Sequence, residues 1–128
     1  PVLARRLPAL LPGTGARRAT VRGRTGSWSD PRDGFRAMLR AGDEIVVRLR
    51  GPAAADLDLA VWRPGATGAP RGPRFARRWL AAASLGPRST EEIRHTAQLD
   101  GMHTVEVQGS RGLAPYHLSV ERIPATPA

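Results

Sequence analysis

Asp56 and Asp58 stand two residues apart in a stretch where polar and apolar residues alternate, so both carboxylates leave the backbone on the same side. Two acids so placed are the minimum for general acid–base work or for gripping a hard cation such as calcium. The plainer reading is that both point into water and pair locally with arginine, as acids on strands ordinarily do. A calcium shell needs several more oxygens than this pair supplies, so Asp56 and Asp58 are weak metal candidates. No tight metal site and no cofactor are expected. His95, His103 and His117 are the other side chains suited to proton transfer near neutral pH. Each falls within an alternating segment, and His95 and His103 fall on apolar faces, where a partly buried, hydrogen-bonded imidazole is the ordinary outcome. A hydrolytic triad also needs a nucleophile on a positioned turn. The chain has no G-x-S-x-G elbow, no histidine pair at zinc-binding helical spacing and no cysteine. Catalysis by this chain is therefore not expected.

Among the large aromatics, Tyr116 continues an apolar face with Leu118 and Val120 and reads as core. Trp62 falls opposite Leu59 and Val61. An exposed indole there would stack on a sugar or a peptide ring; the same side chain would serve equally well to cover the loop that starts at Arg63.

The formal net charge is +9, which raises the question of an anionic partner. All 20 basic residues are arginine and none is lysine. With abundant Ala, Gly and Pro, that pattern fits the codon usage of a GC-rich genome. The arginines run from Arg5 to Arg122, with small clusters at Arg5-Arg6, Arg17-Arg18 and Arg77-Arg78. No groove-reading element accompanies them, so no nucleic-acid partner is expected. The discriminating feature is placement: arginines gathered on one face support an anion binder, and even scatter counts against it. No apolar run is long enough to span a membrane. The chain opens at Pro1 without a signal peptide, and the expectation is a piece of a longer precursor.

The elements that must carry these residues are short. Period-two alternation occurs over residues 18–22, 35–40, 45–50, 56–62, 91–97, 102–107 and 116–121, and the segment 79–84 before Gly86-Pro87 reads as a further strand. Turn residues separate them: Ala41-Gly42-Asp43, Gly51-Pro52, Arg63-Pro64-Gly65 and Leu99-Asp100-Gly101. About eight short strands without a helix predict an all-β fold, an antiparallel jelly-roll-like β-sandwich. Ile45, Val47, Leu49, Leu57, Leu59, Val61, Leu118 and Val120 are its expected core. Residues 1–15 read as a linker, 16–123 as the sandwich and 124–128 as a disordered tail.

The ordered set of Asp33-Gly34-Phe35 leading a strand, the Ala41-Gly42-Asp43 turn, the strand Ile45 to Leu49, Asp56-Leu57-Asp58-Leu59, Gly101 to Val107 and Tyr116-His117-Leu118 resembles the bacterial pre-peptidase C-terminal domain. The resemblance covers about residues 16–122. It implies a non-catalytic accessory module of a secreted peptidase, subtilisin-like or metalloprotease, that assists secretion, maturation or attachment to substrate. The implied location is extracellular. The implied partners are the catalytic domain of the parent protein and a polymeric protein or polysaccharide. Calcium-binding members of that family carry their ligands largely in an acidic N-terminal segment, and no Asp or Glu precedes Asp30 here. His103 stands near where the family pattern places an aromatic. Trp62 and His103 are thus the candidate substrate contacts. The alternative function is a carbohydrate-binding jelly-roll module, which needs exposed aromatics along one sheet face.

Overall fold

The computed structural model describes residues 9–13, 15–25, 32–52, 57–64, 80–84, 90–109 and 114–125. These form nine strands: β1 (Ala9–Leu11), β2 (Arg17–Thr25), β3 (Arg32–Leu39), β4 (Glu44–Arg50), β5 (Leu57–Trp62), β6 (Leu80–Ser84), β7 (Thr90–Thr96), β8 (Gly101–Gly109) and β9 (Ala114–Ile123). They assemble into a five-stranded sheet ordered β1-β3-β8-β5-β6 and a four-stranded sheet ordered β2-β9-β4-β7. Every pairing is antiparallel except β1 with β3. The antiparallel β-sandwich read from the alternation is the architecture found, and Leu80–Ser84 enters it as strand β6.

The core lies between the sheets. All eight expected core residues, Ile45 through Val120, are buried there, joined by Leu11, Phe35, Ala37, Leu39, Ile93, Ala97, Val105, Val107 and Tyr116. On β9 the buried Tyr116, Leu118 and Val120 alternate with residues that are exposed or half-buried, as a two-faced strand requires. Gly23 faces Tyr116 in register, and a Cβ at Gly23 would run into the tyrosine ring. The glycine opens the space that lets the ring lie across β2.

The Ala41-Gly42-Asp43 turn closes by its own chemistry. Gly42 takes a φ of 94°, open to glycine at little cost. The Asp43 carboxylate accepts the Arg40 amide at 2.9 Å, and the Asp43 amide donates to the Arg40 carbonyl at 2.9 Å. Asp100 then ties the turn to the one beside it, accepting the Ala41 amide at 2.7 Å.

Two expectations need amendment. The stretch read as a linker, residues 1–15, supplies β1, and Leu11 within it is fully buried. Ala9 and Leu11 pair with β3 at the rim of the sheet, where the neighbouring Pro12 costs no ladder bond. Alternation also predicts a wet outer face on β8, yet Thr104 and Glu106 are buried there, so both faces of this central strand are covered.

Candidate functional site

Among the described residues, those singled out in the sequence do not converge on one site. Asp58 lies half-buried on β5, in register with Gln108, and Asp56 falls outside the described residues. Among the described residues, no three His, Cys, Asp or Glu side chains gather closely enough to hold a metal ion. Trp62 does leave β5 on the side opposite Val61, as the alternation requires, but it is only 6 % exposed. It stands in register with Thr104, which is buried on that same outer face. In this arrangement its ring offers no open surface for stacking.

His103 is 1 % exposed and faces the core from β8, opposite Ala37 of β3. Its Nδ1 lies 3.1 Å from the Gly101 carbonyl. A carbonyl only accepts, so Nδ1 carries the proton and Nε2 is left as the acceptor in the neutral ring. Burial lowers the His103 pKa; the Gly101 carbonyl opposes that shift, while His95 and Arg63 reinforce it. The His95 pKa is also lowered, first by burial and then by Arg63. Burial and the positive charge of nearby Arg63 thus both favour the neutral form of the two imidazoles. Protonating either imidazole in this setting costs free energy, which makes both pH-sensitive.

The arginines behave differently. Along the sequence they look scattered, but strand register gathers several on the outward face of the four-stranded sheet. Arg22 of β2 pairs in register with His117 of β9, which pairs with Arg50 of β4. One step along, Thr20 pairs with Ser119, which pairs with Arg48; a further step places Arg18 beside Glu121. Together these residues line an open groove of about 660 Å³: Arg18 and Arg22 on one wall, Arg48 and Arg50 on the other, Ser119 and His117 on the floor. The walls stand two strand spacings apart, about 10 Å, and successive same-face residues repeat about every 6.8 Å.

Acids on this face are concentrated away from the Arg22–His117–Arg50 row. Arg94 reaches Glu44 at 3.4 Å and Glu92 at 3.2 Å, and Glu92 also meets Arg48 at 3.5 Å. Arg18 donates to the Ser119 hydroxyl at 3.4 Å. Such exposed pairs contribute little to stability, so the wall arginines are held loosely and stay accessible to a ligand. The sequence reading missed this site because it took arginine as scatter. The alternation at 18–20–22, 48–50 and 117–119 contained the outward-facing sets, but only the register of β2 and β4 against β9 joins them.

One arginine is not on the surface. Arg122, 1 % exposed, leaves β9 toward the core and crosses to the opposite sheet. Its Nε donates to Gly15 O at 2.6 Å, its Nη1 to Leu11 O at 3.1 Å and Met38 O at 2.7 Å, and its Nη2 to Pro12 O at 3.3 Å. Burial lowers its pKa, Asp43 opposes the shift and Arg17 adds to it. The guanidinium remains charged, as arginine does in proteins. It supplies donors to carbonyls at and beyond the end of β1.

Neither a protein-family model nor a curated protein matches this sequence. Solved structures do. The chain superposes with a TM-score of 0.63 on the pre-peptidase C-terminal domain of collagenase from Bacillus anthracis, at 16% identity, covering 91% of this chain and 97% of that one. It superposes with a TM-score of 0.61 on PliG of Aeromonas hydrophila, a periplasmic inhibitor of g-type lysozyme, at 18% identity, covering 91% and 96%. The chain thus has the fold of the pre-peptidase C-terminal domain, the family its segment order resembles, and shares that fold with the PliG inhibitor.

Proposed function

We propose that this chain is a non-catalytic accessory module of a secreted peptidase and that it holds the enzyme on a polymeric substrate. The observation that carries the reading is the open groove on the four-stranded sheet. Charged and hydroxyl side chains line it, and three paired strands beneath hold it rigid. A pre-organised face of this kind binds without ordering its own backbone, which lowers the cost of association. The fold shared with a collagenase's pre-peptidase C-terminal domain supports the assignment to a peptidase. An extracellular or periplasmic setting agrees with both structural neighbours.

The mechanism is positional. A module bound to a polymer raises the local concentration of cleavable bonds at the attached enzyme and leaves the chemical step unchanged. The direct test is co-sedimentation of the isolated chain with insoluble protein polymers and, separately, with insoluble polysaccharides. Retention on protein polymer supports the reading. Retention on polysaccharide alone would assign a carbohydrate-binding module instead. Inhibition of a g-type lysozyme by the isolated chain would favour the inhibitor role of the PliG neighbour.

A further inference from the structure

We infer that the groove between β2 and β4 binds an extended acidic peptide segment, laid along β9 with carboxylates reaching both arginine walls. The width selects one extended chain. Walls about 10 Å apart do not take a nucleic-acid duplex, whose major groove alone is about 12 Å wide. The lining disfavours a single-stranded nucleic acid: it holds no Trp, Tyr or Phe, and His117 is the one ring among its described residues, whereas single-strand sites stack successive bases on several aromatics.

An extended peptide fits by its repeat. Its same-side residues recur about every 6.8 Å, the spacing of Arg48 and Arg50 on the strand below. Its successive side chains point to opposite sides, so neighbouring acids address opposite walls. Arg22 and Arg50 face each other across His117, each with a planar fork suited to a carboxylate. Ser119 and Thr20 add hydroxyl donors in the next row along, beside Arg48. The choice of a peptide over an anionic glycan rests on the proposed role at a peptidase; the groove and its charge do not depend on that role.

The test uses the whole chain, a fluorescein-labelled octaglutamate peptide and fluorescence anisotropy at low and physiological salt. Binding is expected, and it should weaken as salt screens the exposed charges. Arg22→Glu combined with Arg50→Glu should weaken it by about tenfold or more, because facing like charges repel the ligand. Arg40→Glu, the same charge change at an exposed turn away from the groove, should leave it within about twofold. Unchanged thermal melting of each variant shows that the fold is intact. An undetectable interaction at low salt, or equal loss in the Arg40 variant, overturns the assignment. Tighter binding of a sulfated oligosaccharide or of a single-stranded oligonucleotide than of octaglutamate also overturns it. If octaglutamate binds in the groove but the chain does not co-sediment with protein polymer, the accessory reading fails and the groove assignment stands. If the chain co-sediments but ignores octaglutamate, the reverse holds.

Discussion

Arg122 is the residue on which the start of the chain depends. Its donors satisfy the carbonyls of Leu11, Pro12, Gly15 and Met38, groups of both the N-terminal stretch and β3. Arg122→Ala removes those donors, leaving the buried Leu11 carbonyl and three part-buried ones without their partner, so a loss of about 2–4 kcal/mol is expected in urea unfolding. Arg122→Lys should recover only part of this, because an ammonium cannot fork to several carbonyls as a guanidinium does. Full stability in the lysine variant would show that charge alone matters here. The two core-facing histidines set a pH dependence. In the unfolded chain they titrate near about 6.5, and in the folded chain lower. Below about pH 6.5 the unfolded state therefore binds more protons, and stability falls as the pH drops; above that range these groups add no slope. His103→Asn keeps a donor toward the Gly101 carbonyl and cannot titrate. Its melting temperature should fall less than that of the parent chain between pH 7.5 and 5.5. An equal fall in both would place the proton uptake elsewhere.

At the scale of elements, the strands were legible because each has one apolar side. The period-two pattern of Ile45-Val46-Val47-Arg48-Leu49-Arg50 marks β4, and Ile45, Val47 and Leu49 are all fully buried. Leu59 sits fully buried on β5, which lies between β6 and β8. Leu59→Ala should cost about 2–5 kcal/mol, read from the shift in denaturation midpoint. A cost near zero would mean the two sheets are not packed as described. The first strand was not legible. Three residues bracketed by Pro8 and Pro12 show no period, and what holds them is parallel pairing with β3 together with Arg122 from β9, more than a hundred residues away. Trp62 was legible as to side and not as to burial. Alternation reports which way a side chain leaves the strand; it does not report what the rest of the chain lays over that side.

For the whole molecule, the same limit governs the candidate site. Arg22, Arg50 and His117 lie far apart in sequence and become one row only when β2 and β4 flank β9. The expectation that no nucleic acid binds rested on the lack of a groove-reading element and on arginine scatter, and folding removes the scatter on this face; a lining without Trp, Tyr or Phe adds an argument against single strands. In the proposed role, the sandwich is a rigid carrier of that face and takes no part in the chemical step. The proposed accessory role is tested by comparing a secreted peptidase that carries this chain with and without residues 9–125, on one insoluble protein polymer and one small soluble peptide substrate. Deletion should slow turnover of the polymer and leave kcat and KM for the small substrate unchanged, because tethering alters local concentration alone. Slower turnover of the small substrate, with the catalytic domain still folded, would contradict it.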